Sequence, residues 1–476
     1  MKKFLIILSV SLGLLSCSED TMQKINRNPN YPTDVASKLI ITDVINKTSF
    51  SVTGADFAFY ASLYIEYNVG VYNQMYNAET RINEPSSSTT YNNTWNNVYE
   101  NLLNLKTIIE KCSPGGEEED NTVVLGMAQV LSAYNLATLT DLMGDVPWSE
   151  ALQPGIVWTP KLDKQVDIYA AVNKFLDDGI ANLDKPTGLA AIGTQDPIYG
   201  GNAASWKRFA YGLKARYAMR LSKIAPNYDA VISAADNSFT RKSEETLFKC
   251  GSAIRNPFQR FFTDRDYFGA SQSLHDKLMD RDDPRDEVFF KPHPNNADEE
   301  LVFAPNGASE SRQGYYGISA LAVATAPVYL MSYHELAFLK AEAYARKNDL
   351  ANAKTHLKTA VTTCFTNVGL TANEADDYYE SVVEPKLTTQ TETLKEIMMQ
   401  KYLGLFEGES IETYNDIRRL RAMGEGDFIP LASPLRFPLR YAYGAEDVTT
   451  NVNVATAYGD GSYVYSENVW WAGGSR

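Results

Sequence analysis

VYLMSYHELAFLKAEAYARKNDLANAKTHLKTAVTTCF, residues 328–365, reads as two helices joined by a tight turn. Ser332-x-x-Glu335 has the form of a capping box, in which the Ser hydroxyl and the Glu carboxylate each satisfy a free N–H at the helix start. Met331 and Leu336 stand where a hydrophobic staple would stand around that cap. Leu330, Ala337, Phe338, Ala341, Tyr344 and Ala345 then share one apolar side at helical spacing. Asn348-Asp349 breaks the helix, because Asn tolerates a left-handed turn and Asp caps the second helix. Leu350, Ala353, Leu357 and Ala360 give that second helix its own stripe. Ala341, Tyr344, Ala353, Leu357 and Ala360 match the spacing of a tetratricopeptide repeat. One such hairpin cannot bury both of its faces, so it predicts helical neighbours.

The rest of the chain supplies them. Helical periodicity appears in Leu39, Ile40, Val44 and Ile45, in Trp95 to Ile109, over 122–143 with Gly144 as a C-terminal cap, over 167–183, from Trp206 to Leu221, and over 391–406. Lys207, Lys214 and Arg216 fall on the far face of the Trp206 helix and read as solvated. Asn, Ser, Thr and Pro dominate residues 72–90, which read as a long loop, and loops of that length are uncommon unless functional. Residues 239–326 read as loops and short hairpins, and the last fifty residues as strand and loop. The expected fold is mainly α: a helical body of tetratricopeptide-like hairpins, with loops and small β-hairpins forming a ligand face.

The 476 residues are 44% hydrophobic and 22% charged, ordinary for a globular protein with a large core. The formal net charge of −15 argues against binding nucleic acid or an anionic membrane through bulk charge. Lys2 and Lys3, then the apolar run from Phe4 to Leu15, form a signal sequence too short to span a bilayer. Leu14-Leu15-Ser16-Cys17 comes directly after that run. It reads as a bacterial lipoprotein signal, residues 1–16, that makes Cys17 the acylated first residue of the mature protein. Residues 17–33 read as a lipidated tether and 34–476 as one domain, with the lipid as the sole membrane attachment. Cys112, Cys250 and Cys364 are far apart and suggest neither a disulfide framework nor a zinc site.

No constellation nominates a catalytic residue. His334-Glu335 would need a second His at position 338 to bind zinc, and Phe338 stands there, so His334 reads as a satisfied core residue. Walker, dinucleotide and nucleophile-elbow motifs are missing from the sequence, and neither a cofactor nor a metal is expected. A glycosidase carboxylate pair stays open. Aromatic surface remains. Sugar rings stack their C–H faces on Tyr or Trp, and their hydroxyls need Asn, Gln, Arg or Asp. Tyr72, Asn73, Gln74, Tyr76 and Arg81 offer that mix over 72–90. Phe262, Tyr267, Tyr315 and Tyr316 add aromatics elsewhere, with packing of loops onto the body as the competing role for each.

Ile25-Asn26-Arg27-Asn28-Pro29-Asn30, Trp95-Asn96-Asn97-Val98-Tyr99, Gly144-Asp145-Val146-Pro147 and Asp283-Pro284-Arg285 occur in that order. Lys340-Ala341-Glu342-Ala343, Gln400-Lys401-Tyr402 and Asp416-Ile417-Arg418-Arg419 come after them. In order and spacing the chain resembles the SusD/RagB nutrient-binding outer-membrane lipoproteins of Bacteroidetes, in the SusD-like branch. That resemblance implies a surface lipoprotein, not an enzyme, that binds a nutrient such as an oligosaccharide and delivers it to a SusC-like TonB-dependent transporter. It leaves open the same role for peptides, and the residues by themselves leave open a secreted glycoside hydrolase. The acidic Glu19-Asp20 after Cys17 resembles the family's surface-export signal. The family's ligand residues vary between members, so none is carried over.

Overall fold

The computed structural model describes residues 35–82, 88–187, 192–296 and 300–476. The lipobox and Cys17 lie outside them, as do positions 83–87 of the expected loop.

The helices are α1 (Ser37–Lys47), α2 (Asp56–Tyr64), α3 (Asn73–Thr80), α4 (Asn92–Cys112), α5 (Thr122–Met143), α6 (Gln165–Leu183), α7 (Ala203–Arg220) and α8 (Tyr228–Asp236). After α9 (Pro257–Arg265), α10 (Gln272–Met279) and α11 (Asp286–Phe289) come α12 (Tyr333–Arg346), α13 (Leu350–Asn367), α14 (Ala372–Tyr378), α15 (Gln390–Gly404) and α16 (Ser410–Met423). Each body helix packs on the next: α1 on α4, then α4, α5, α6, α7 and α8 in succession, then α12, α13 and α14, with α15 also against α12. This is the stacking that the opening hairpin demands. Ala341, Ala353, Leu357 and Ala360 are fully enclosed, and Tyr344 stacks flat on His356 across the hairpin, ring centroids 5.4 Å apart. Asn348 adopts the left-handed conformation expected of it, and Asp349 caps α13 by accepting the Asn352 N–H. Helix α5 is long and apolar enough to cross a membrane, yet it is buried inside the protein and serves as the central core helix.

Five expectations are corrected, the first being that residues 239–326, read as loops and short hairpins, also hold the helices α9, α10 and α11. The Ser332 hydroxyl caps α12 by accepting the Glu335 N–H at 3.1 Å, but the Glu335 carboxylate does not return the bond. It turns to Arg216, at 2.9 Å from Nε to Oε1, because a buried guanidinium needs an anion more than a helix end needs a second cap. Arg216 therefore lies in the core, 3% exposed, while Lys207 and Lys214 of the same helix stay outside and pair with Asp184 and Asp177. Residues 73–80 are helical, not loop: Glu79 at the end of α3 accepts backbone N–H groups from Gly70 and Gly307, anchors that no periodicity records. The C-terminal fifty residues form short helices, Ala445–Thr450, Val452–Tyr458 and Tyr463–Ser466, in place of strands.

The small strands are present, but each pair joins separated segments instead of closing a tight hairpin. β1 (Asn68–Gly70) pairs antiparallel with β5 (Phe268–Ala270). β2 (Val146–Pro147) pairs with β3 (Leu162–Asp163), β4 (Thr246–Phe248) with β8 (Val328–Met331), and β6 (Phe290–Lys291) with β7 (Ile318–Ser319).

Charged side chains knit the core. Arg216 reaches Glu335, Glu409 and Glu412, and Arg220 reaches Asp141 and Glu412. Arg419 holds Glu342 at 2.6 Å and Asp416 at 3.0 Å, and Lys401 holds Asp416 at 2.7 Å. Burial pushes the Glu335 carboxyl up, but the Arg216 guanidinium outweighs burial and holds it below the usual carboxylate range. Its neighbour Glu409 is driven well above that range by burial and by the Glu335 charge.

Candidate aromatic binding face

The β1–β5 pair sets one corner of the molecule. Val69 lies opposite Gly269 and Gly70 opposite Phe268. The Val71 N–H continues the ladder by donating to the Tyr267 carbonyl at 2.9 Å. The two chains then diverge, and Tyr72 and Tyr267 leave the pair side by side, ring centroids 5.6 Å apart. Asn73 comes next in the left-handed region, φ 47°, which Asn tolerates better than most residues. That backbone aims its Nδ2 at the Tyr267 hydroxyl, 3.1 Å away. Tyr72 is 40% exposed, whereas Tyr267 is 8% exposed and props it from behind.

The loop at 304–319 is stitched to this corner. Ser309 Oγ donates to the Gly70 carbonyl at 2.9 Å, and Gln313 Nε2 to the Arg265 carbonyl at 2.7 Å. Tyr316 is buried over Gly269 with Val69, Val71 and Ala304. A Cβ at position 269 would sit 2.9 Å from Val71 and 3.0 Å from Tyr316, so glycine is what allows the loop to lie this close. Tyr315, beside Tyr316 and half-buried, carries the Arg312 guanidinium 3.4 Å from its ring centroid. Asn73 and Gln74 are exposed next to Tyr72 in the chain, and Arg312 and Gln313 are exposed just before Tyr315. Flat aromatic faces near planar amide and guanidinium donors suit a ligand with both C–H faces and hydroxyls.

Not every sequence candidate reaches this face. Tyr72, Asn73, Tyr267, Tyr315 and Tyr316 come together, with the buried Tyr267 and Tyr316 as supports. Tyr76 is half-buried on α3. Arg81 is taken up in structure: its guanidinium lies 4.8 Å over the Tyr64 ring and donates to the carbonyls of Ala78, Glu79 and Arg436. Phe262 is core, packed on Phe268 at 5.4 Å. Sequence reasoning passed over Trp158 and Ile156, 78% and 76% exposed on the loop between β2 and β3. The signal available was an aromatic set among Pro154-Gly155 and Pro160, a turn-rich stretch unable to bury it.

Residues 29–422 match the family described as "Starch-binding associating with outer membrane", a SusD-like family. The chain belongs to the SusD-like family. It is similar, at 44% identity, to a SusD/RagB family protein of Bacteroides thetaiotaomicron whose crystal structure superposes with a TM-score of 0.85, over 93% of this chain and 100% of that one. It shares its fold, at 20% identity, with a chitin-binding SusD homologue from Flavobacterium johnsoniae, TM-score 0.73, over 92% and 98% of the two chains. A SusD homologue from Bacteroides uniformis, 21% identical with a TM-score of 0.73, covers 92% of this chain along its whole length. No curated protein matches the sequence at significant similarity. SusD-like proteins are nutrient-binding proteins associated with the outer membrane, and the mainly helical architecture expected from residues 328–365 is the SusD-like one.

Proposed function

We propose that this chain captures an oligosaccharide at the cell surface and delivers it to a SusC-like TonB-dependent transporter, without catalysis. The observation that carries the reading is the corner where Tyr72 and Asn73 stand against Tyr267, beside Arg312 and Tyr315. A pyranose ring stacks on Tyr72 while its hydroxyls bond the surrounding amides and guanidinium. The family's starch-binding description and a chitin-binding structural relative support a glycan over a peptide. Glycan and peptide arrays on the purified protein separate the two, and a captured glycan recovered intact after long incubation speaks against hydrolysis.

Tyr72→Ala should weaken glycan binding about 5- to 30-fold by calorimetry, the equivalent of one lost aromatic stack worth about 1–2 kcal/mol. Its melting temperature should hardly move, because Tyr72 is exposed. Tyr267→Ala should lower both affinity and melting temperature, since that ring is buried. Normal glycan affinity in a fully stable Tyr72→Ala protein places the ligand elsewhere, with the Trp158 loop next to be tried.

Lipidation at Cys17 supplies the anchor in this reading. A single short acyl chain gives marginal membrane affinity, whereas several hold stably. Cys17→Ala should therefore leave the outer-membrane fraction in cells lacking the partner transporter. Retention there would show that something other than the lipid holds the protein.

A further inference from the structure

Among the described residues, the three most exposed large hydrophobic side chains are Trp158, Ile156 and Val452, the last of them 65% exposed. They come from two distant parts of the chain, and hydrogen bonds bring those parts together. Val452 begins the short helix Val452–Tyr458, and its two neighbours both reach the loop between β2 and β3. Asn451 Nδ2 donates to the Pro160 carbonyl and Asn453 Nδ2 to the Thr159 carbonyl, each at 2.9 Å. Residues 151–160 carry no charged side chain. Lys161 and Lys164 follow, paired with Glu150 and Asp145, so the rim presents matched charges. A lone exposed apolar residue is ordinary, but three at one loop tip mark a contact surface.

The loop is built to hold this tip outward. The Trp148 and Ser149 N–H groups donate to Asp163 Oδ2 at 2.9 Å each, which closes its base. Glu150 accepts the Lys161 N–H at 3.0 Å, and the Ile156 N–H donates to the Gln153 carbonyl at 3.0 Å. Lys106 of α4 donates to the Leu152 carbonyl at 2.9 Å. Further along the same helix, Lys111 donates to the Val35 carbonyl at 3.1 Å. Those two lysines are about 8 Å apart along the helix axis. Val35 is where the described chain begins, and residues 17–34 separate it from Cys17. That length of chain spans at most about 60 Å when fully extended. The loop therefore roots beside the point where the body meets its tether.

We infer that Ile156, Trp158 and Val452 dip into the headgroup region of the membrane. They form a second contact beside the lipid, where the sequence suggested the lipid alone. The inference rests on the reading of Cys17 as the anchor. Trp suits this boundary because its ring is apolar while its N–H stays wet. An uncharged tip with a paired rim meets a lipid surface without stranding a charge. One Trp, one Ile and one Val are too few to hold an untethered protein. The tether makes their insertion intramolecular, which raises the effective concentration of the surface. With two contacts the body keeps one orientation on the membrane, whereas a tether alone lets it turn.

The test tethers the mature chain, with Cys17→Ala, through an N-terminal hexahistidine tag to phosphatidylcholine vesicles that carry a nickel-chelating lipid. This anchor works whatever modification Cys17 bears in the cell, so a failure of lipidation shows in the Cys17 fractionation and not here. Brominated phosphatidylcholine should quench part of the tryptophan emission, and Trp158→Ser should remove that quenching. Ile156→Asp together with Val452→Asp should remove it as well, at an unchanged melting temperature, because both side chains are exposed. Trp158→Ser should keep the wild-type pattern on the glycan array. The inference is overturned by a wild type that is not quenched, or by quenching that survives Trp158→Ser or the double Asp variant. Lost glycan binding in Trp158→Ser gives the loop to the sugar instead. Trp158 emission that ignores the bromolipid and responds to the purified transporter gives the patch to that partner. Either result also overturns it.

Discussion

Arg216→Met should cost about 3–5 kcal/mol of unfolding free energy, as measured by urea denaturation, although the substituted side chain stays apolar and similar in length. Arg216 serves three carboxyls at once, and Glu335 and Glu409 are enclosed with it. Removing the cation strands a buried charge on Glu335, which then takes up a proton or drags in water. A second change, Glu335→Leu in the same background, should recover much of the loss, because it removes the stranded partner and not merely its counterion. A loss below about 1 kcal/mol for the single variant would mean that solvent reaches the network, contrary to its burial.

The second large effect is a pH dependence traceable to His334. Its folded pKa of about 3 lies below the ordinary value of 6.5. The unfolded chain therefore binds a proton below pH 6.5 that the folded chain refuses. Stability from this group is intact above pH 6.5 and falls by about 1.4 kcal/mol per pH unit as pH drops toward 3. Asp56, raised by burial to about 6, and Glu79 and Glu407, raised by burial to about 7, work in the opposite direction between pH 7 and 4.5, since folding favours their protonated forms. Comparison with His334→Gln cancels those carboxyls. Wild type should lose about 2.5 kcal/mol relative to the variant between pH 6.5 and 4.5. A constant difference across that range would mean that His334 takes up its proton in the folded state.

The helical body was legible because its signals are local. The Ala341, Ala353, Leu357 and Ala360 stripe, the Asn348-Asp349 break and the Gly144 cap each depend on neighbours within a few residues, and all stand where expected. Arg216 was misread because helical periodicity records a polar residue, not the carboxylates that await it 119 and 193 positions later. Helix α3 was missed because Glu79 is tied to Gly307 across 228 residues. The candidate face was half legible. Tyr72, Asn73 and Tyr267 share a composition that suits sugars, but the same composition in Arg81 and Phe262 serves packing, and only the backbone path tells them apart. The family motifs explain why the resemblance was strong for the fold and silent on the ligand. Asp283 and Arg285 pair with each other and reach Gln400, while Glu342, Lys401, Asp416 and Arg419 form one buried cluster. These residues belong to the interior electrostatics, not to the aromatic face.

A stack of helical hairpins can ordinarily begin folding anywhere and spread to its neighbours. This one is closed by its own late segments. Tyr67 donates to the Tyr402 carbonyl and meets Thr413, Ser410 bonds the Ala58 carbonyl, and Tyr441 bonds the Phe57 carbonyl. The segment at 57–67 meets Tyr91 and Phe258 earlier in the chain, but these last partners lie 335 and 352 residues away, and closing loops of that length costs entropy. An N-terminal fragment ending before residue 400 would expose α2 and leave Arg216 without Glu409 and Glu412. Such a fragment would keep its helical hairpins but lack the clasp that ties the two ends of the body together.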